Sequence, residues 1–134
     1  MSLTTILAIA IGLYLVWKIF FPRSRVVRPW DVFVIDGDTL SISHADGSTE
    51  RVRVANIDAP EITGIRSLWQ GRSGARARDE ARSLINSASS VILMGRGRDR
   101  YGRTLATVTV RTQAGSVDLG CHLIGKGLAR RWRS

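Results

Sequence analysis

Apolar residues are spread unevenly along the chain. From Leu3 to Phe21 they form an almost unbroken run, LTTILAIAIGLYLVWKIFF, nineteen residues in which Lys18 is the only charge. As a helix this run extends roughly 28 Å, close to the ~30 Å hydrocarbon core of a bilayer. Tyr14 and Trp17 suit the headgroup region, Lys18 can reach the interface, and Pro22 followed by Arg23, Arg25 and Arg28 ends the span. A cleaved leader fits less well, because Met1–Thr5 carries no Lys or Arg and no small-x-small site precedes Arg23. A buried core helix would need a domain large enough to surround it. The expected organisation is an N-terminal membrane anchor over residues 1–22, a basic linker over 23–29 and a globular domain over 30–134.

Beyond the linker the pattern changes period. Asp31–Ile35 reads as a strand running into Asp36-Gly37, and Thr39–His44 alternates Leu40 and Ile42 with polar residues before the hairpin signal Asp46-Gly47. Glu50–Ile57 alternates Val52 and Val54 with Arg51 and Arg53, which puts both arginines on the face opposite the valines. Pro60 stops this strand, and 62–72 reads as a loop by composition, with Gly64, Gly71 and an isolated Trp69. Ser73 can cap a helix over Gly74–Asn86, where Ala77, Ala81, Leu84 and Ile85 recur at helical spacing and Arg76, Arg78 and Arg82 line another face. Val91–Met94 and Leu105–Val110 read as strands on either side of a glycine- and arginine-rich turn, and Val117, Cys121, Ile124 and Leu128 make the stripe of a second short helix. Three strands, a helix, two strands and a helix suit a small closed barrel better than a parallel sheet, because no βαβ alternation runs through the chain.

Charge narrows the partners. The 134 residues hold 20 Lys+Arg against 11 Asp+Glu, a net +9. Lys18 apart, the 19 remaining basic residues and all 11 acidic ones lie outside the apolar run, so a net +8 belongs to the domain. A surface this basic expects phosphate. The single cysteine, Cys121, cannot close an internal disulfide, so the fold holds by packing. It also leaves no zinc or redox constellation, since His44 and His122 lie in separate elements.

Carboxylates gather in two short motifs at strand ends, Asp36-Gly37-Asp38-Thr39 and Ile57-Asp58-Ala59-Pro60-Glu61, and hard cations require such oxygen clusters. Each motif alone also reads as a turn or a strand stop, and Asp99-Arg-Tyr-Gly-Arg103 alone reads as a solvated hairpin turn. Taken in order, with a helix between the second and third, DGDTL, RVRVANIDAPE and DRYGR resemble the staphylococcal nuclease-like (thermonuclease) family. The resemblance covers roughly Trp30 to Trp132. It implies a mainly β, α+β fold: a five-stranded OB-fold barrel with packed helices, here preceded by the N-terminal transmembrane helix. It also implies calcium and the hydrolysis of phosphodiester bonds in DNA and RNA.

Carried over by motif, the resemblance implies that Asp38 and Asp58 are calcium ligands, with the backbone carbonyl of Ala59 as a third. Arg53 and Arg103 match the phosphate-binding arginines, Glu61 the base and Tyr101 the nucleotide-contacting tyrosine. The residue types suit the chemistry. A phosphodiester repels nucleophiles, so its charge must be screened, its oxygens gripped by bidentate donors, and a water held or deprotonated beside it. The type enzyme continues into a further C-terminal helix with nucleotide-binding tyrosines, whereas this sequence ends at Arg130-Arg-Trp-Arg-Ser134, so stacking would fall to Trp132. The alternative from another class is a non-catalytic nucleic-acid-binding module tethered to a membrane. Glu61 and the aspartates favour the enzyme. The basic residues that follow the apolar run place the domain on the cytoplasmic side of a single-pass anchor, while the family resemblance implies a secreted or surface enzyme, so sidedness stays open.

Overall fold

The structure is a computed structural model that describes residues 1–20, 23–60 and 68–132. It opens with α1 (Leu3–Phe20), 18 residues whose length is about 27 Å. The side chains of residues 3–17 are all exposed. Among the described residues no helix is long and apolar enough to cross a membrane. This overturns the expected transmembrane span over Leu3 to Phe21, and with it the lipid-bilayer partner and the single-pass membrane location. Thr4, Thr5, Gly12 and Lys18 interrupt its apolar run.

The rest is a mixed α+β fold, mainly β. In chain order come β1 (Ser24–Val27), a 3-10 turn at Pro29–Asp31, β2 (Val32–Asp36), β3 (Thr39–Ser43), β4 (Thr49–Val54), β5 (Ile57–Asp58), α2 (Leu68–Asn86), β6 (Ser90–Arg98), β7 (Thr104–Thr112), β8 (Gly115–Asp118), α3 (Leu119–Gly125) and β9 (Arg130–Arg131). Seven strands make one sheet in the order β1-β6-β7-β4-β3-β2, with β8 beside β7, while β5 and β9 form a separate two-stranded pair. All pairings are antiparallel except β4 with β7.

Among the described residues the expected five-stranded closed barrel does not form. A barrel joins its first and last strands through hydrogen bonds and so has no edge. Here β1, a segment expected to be linker, takes the outer edge of β6 with Val27 opposite Val91 and Ser24 opposite Met94. The path therefore ends at β1 and β2 instead of closing.

Further boundaries shift: the strand expected over Glu50–Ile57 breaks into β4 and β5, the turn expected from Gly95 gives Gly95–Arg98 to β6, and Ser73, expected as a helix cap, lies inside α2. Residues 68–72, expected in a loop, belong to α2, and Val117, expected in the second helix, lies in β8 opposite Val110. Asp118 caps α3, its carboxylate accepting from the backbone N–H of Cys121 at 2.8 Å, and Cys121 itself is exposed. The period in this stretch mixed two elements, because a strand end and a short helix together imitate one stripe.

The core lies between the sheet and the two domain helices. Leu40, Ile42, Val52, Val54, Val91, Leu93, Val108 and Val110 come from alternate strand positions, Ala77, Ala81 and Ile85 from one face of α2, and Leu119 and Leu123 from α3. Each buried Leu, Ile or Val stabilises the fold by roughly 1.5–3 kcal/mol. The small residues on α2 let the helix approach closely. An added Cβ on Gly37, in the β2–β3 turn, would stand 2.7 Å from that of Ala77, and this contact fixes the turn against the helix.

Candidate active site

The β2–β3 connection is the tightest piece of the site. Asp36 pairs with Thr39, so Gly37 and Asp38 form a two-residue turn after an irregularity between Val34 and Asp36. Asp38 is only 6% exposed, yet its carboxylate is well supplied. It accepts from the Thr39 hydroxyl at 3.0 Å and from the backbone N–H of Ala59 at 3.0 Å, and it pairs with Arg53 Nη1 at 2.8 Å. Its carbonyl accepts from the N–H of Val54 at 2.8 Å, which ties the turn to the end of β4.

Arg53 reaches this point because β4 places it opposite Thr39. Its other terminal nitrogen lies 3.3 Å from Asp58 Oδ1 and donates to the Ile57 carbonyl at 3.5 Å. One guanidinium thus joins two carboxylates that stand twenty residues apart in sequence. Pairing is what permits a charge as buried as Asp38. The indole of Trp132 covers Arg53, with the guanidinium carbon 5.2 Å from the ring centroid. That placement depends on a return of the chain: β9 pairs with β5, Arg130 opposite Asp58, and the Trp132 N–H donates to the Asn56 carbonyl at 3.1 Å.

Arg103 arrives from the opposite side, in the turn between β6 and β7. Asp99 organises that turn. Its Oδ1 accepts from the backbone N–H of both Tyr101 and Arg103 at 2.9 Å, and its Oδ2 accepts from Arg103 Nε at 2.7 Å. Gly102, at φ +79°, supplies the left-handed residue that lets the chain return. Burial pushes the Asp99 carboxyl up, but the hydrogen bonds from Arg103 and Tyr101 outweigh it and hold the group below its ordinary value of 3.8. Tyr101 is 69% exposed, with the Arg103 guanidinium carbon 5.6 Å and that of Arg100 4.8 Å from its ring.

Asp38, Arg53, Asp58, Tyr101, Arg103 and Trp132 line one open cleft of about 630 Å³. Of the residues expected from the sequence, this cleft brings together Asp38, Arg53, Asp58, Arg103 and Tyr101. Ala59 lies behind it, 6% exposed, its N–H on Asp38. Glu61 lies outside the described residues. The roles of Asp99 and Thr39 were not read from the sequence, although an aspartate opening a glycine-containing turn is the signal of a side chain that caps its own loop. Trp132 was read as a surface for bases, and its contact with Arg53 was missed.

The family profile described as "Staphylococcal nuclease homologue" matches residues 51–134. The chain belongs to the staphylococcal nuclease family. Among similar proteins, a thermonuclease of Staphylococcus intermedius is 35% identical over 97 residues, covering 72% of this chain and 55% of the relative. Protein ParB of Escherichia coli is 36% identical over 116 residues, covering 83% and 58%. A micrococcal nuclease of Shigella flexneri is 38% identical over 87 residues, covering 64% and 41%. The chain spans little more than half the length of the first two relatives. The family match begins at Arg51, so in this staphylococcal nuclease homologue Asp38 joins the matched residues through its contacts with Arg53 and Ala59.

Among the described residues no group of three or more His, Cys, Asp and Glu side chains is arranged to hold a metal ion. The donor chemistry of the cleft nevertheless fits a hard cation. Asp38 and Asp58 converge on a single positive group, both offer carboxylate oxygens, and the Asp58 side chain is 59% exposed. A calcium ion takes about six to eight oxygen ligands, carbonyls and waters among them, so these two carboxylates would supply part of its shell.

Proposed function

We propose that this chain is a calcium-dependent nuclease that hydrolyses phosphodiester bonds of DNA, RNA or both. The observation that carries the reading is the convergence of Arg53, Arg103, Asp38 and Asp58 on one open cleft. Two arginines facing a solvent-filled space can grip a phosphate through forked hydrogen bonds, and the grip strengthens as charge builds on the oxygens in the transition state. Arg53 is held in orientation by Asp38 and Trp132, and Arg103 by Asp99, so neither has to be ordered when substrate binds.

Asp38, Asp58 and the carbonyl of Ala59 are the groups that would hold calcium, which when bound supplies charge screening and positioning of the phosphate. Asp38 is held by Thr39 and Ala59, while Asp58 is exposed and meets Arg53 at the longer distance of 3.3 Å. Glu61, three residues beyond Asp58, is the residue assigned to hold or deprotonate the attacking water. Tyr101, on the rim beside Arg103, is assigned to the nucleotide.

The test is to incubate the chain with single- and double-stranded DNA and RNA, in calcium or in chelator. Cleavage in calcium that stops in chelator is the expected result, and Glu61→Gln should bind nucleic acid like wild type but turn over about 10²–10⁴-fold more slowly. Full cleavage in chelator overturns the calcium assignment. Binding without any cleavage overturns the enzyme and leaves a binding module.

A further inference from the structure

A second cleft, of about 610 Å³, shares Asp58 with the first and is lined beside it by Ala59 and Pro60. Its walls are the N-terminal part of α2, through Ser73 and Arg76, and the segment Lys126–Arg130 between α3 and β9. We propose that this cleft binds phosphates of the substrate strand next to the bond being cleaved, an extension that rests on the nuclease reading of the first cleft.

Three observations point to a polyanion. First, the described lining carries three cations, Arg76, Lys126 and Arg130, against one carboxylate, Asp58, which is already paired with Arg53 at 3.3 Å. Lys126 is paired with Glu80 at 3.6 Å, a carboxylate that His122 also meets at 2.7 Å. The Glu80 carboxyl is held below the ordinary 4.5, first by the hydrogen bond with His122.

Second, the wall is built rather than draped. Gly127 turns the chain at φ +69°, and the N–H groups of Gly127 and Leu128 donate to the carbonyls of Ile124 and Leu123, each at 2.9 Å. The cations on either side of that turn are therefore carried on an ordered backbone. Third, the cleft is contiguous with the first. Asp58 lines both, and β9 sets Arg130, which lines the second, opposite Asp58. A strand leaving the first cleft over Asp58 meets Arg130 and then Lys126 and Arg76.

The chemistry selects phosphate. A nucleic-acid strand carries a charge every few ångströms, and cations without an aromatic platform contact the backbone while reading no sequence. The described lining of this cleft contains no aromatic residue. Strand length and salt should therefore govern the contribution of these three cations.

The experiment uses the full chain, its Arg76→Gln/Lys126→Gln/Arg130→Gln variant, a single-stranded 12-mer of thymidylate and the dinucleotide that has one phosphodiester and no neighbouring phosphate. Binding of the 12-mer is titrated against salt in chelator, and cleavage of both substrates is measured in calcium. The variant should lower the slope of log K against log salt by about 2, at ~0.7 per phosphate contact on a single strand. It should also lower kcat/KM on the 12-mer by about tenfold or more while leaving the dinucleotide within about twofold. An unchanged slope, or equal losses on both substrates, overturns the proposal. If wild type cleaves neither substrate the nuclease reading fails on its own, and the salt slope still decides whether the second cleft binds phosphate. Should the triple variant melt below the assay temperature, Arg76→Gln and Arg130→Gln singly, both at exposed positions, carry the same comparison at about 0.7 in slope each.

Discussion

Replacing Gly37 by alanine tests whether close packing under the β2–β3 turn is what places Asp38. A Cβ at Gly37 would stand 2.7 Å from the Ala77 Cβ and 3.0 Å from that of Ala59, whereas ordinary contact begins at 3.4 Å. Neither methyl can swing aside, since Ala77 is 0% and Ala59 6% exposed. The turn must therefore lift by about 0.7 Å, the difference between 3.4 and 2.7 Å. Overpacking of this kind costs about 1–3 kcal/mol. The displacement falls on the neighbouring Asp38, whose contacts to Arg53 and Ala59 are 2.8 and 3.0 Å, and a shift near 1 Å in a reacting constellation costs on the order of 10²-fold in rate. Urea unfolding and cleavage rates of Gly37→Ala should show both losses. Ala77→Gly alone should cost about 1 kcal/mol of helix propensity, but combined with Gly37→Ala it removes the clashing methyl, so the two should couple favourably by about 1–2 kcal/mol. A Gly37→Ala protein with wild-type stability and rate, or a cycle with no coupling, would refute the packing argument.

Asp99→Ala removes the three hydrogen bonds that its carboxylate accepts in the β6–β7 turn, so it should lower turnover about 10–100-fold by loosening Arg103, with the rest of the fold retained by circular dichroism. The same carboxylate sets a pH limit. Its folded value lies below the ordinary 3.8, so its contribution to the turn is complete above that value and disappears as pH falls through the lower folded one. The Arg103 Nε–H resonance should accordingly stay constant from pH 7 to about 5 and change only in stronger acid, and titration of that signal between pH 5 and 7 would contradict the assignment. Trp132→Ala should lower kcat several-fold by freeing Arg53, and Trp132→Phe should restore most of it because a phenyl ring still offers a face to the guanidinium. Equal kcat for the alanine and phenylalanine variants would show that the ring does not hold Arg53.

What the sequence made legible is local. The Asp-Gly turn, the alternation that faces Arg53 away from Val52 and Val54, and the Asp99–Arg103 turn each carry their signal within a few residues, so three pieces of the cleft could be named before their meeting was known. The family resemblance supplied the order in which to join them. Period and turn chemistry say nothing about which strand edges meet. β1 has four residues and β5 and β9 two each, too few for alternation to register, yet β1 takes the outer edge of β6. The apolar N-terminal run was read as a membrane span from its length and apolar composition, whereas among the described residues no helix is long and apolar enough to cross a membrane.

The pairing of β9 with β5 has the largest consequence for the site. It brings residues separated by more than seventy positions into register, Arg130 against Asp58 and Arg131 against Ile57, and it sets Trp132 on Arg53. The Asn56 carbonyl holds the Trp132 N–H, and the Asn56 side chain in turn donates to the Asp118 carboxylate that caps α3. Gly120 must be glycine for this to fit, because a Cβ there would come within 2.5 Å of the Asn56 amide. The segment that covers Arg53 is thus tied to the first turn of α3 through one asparagine. A disturbance at Gly120, in the interior of the domain, should therefore reach the arginine in the cleft without any change to the residues that line it.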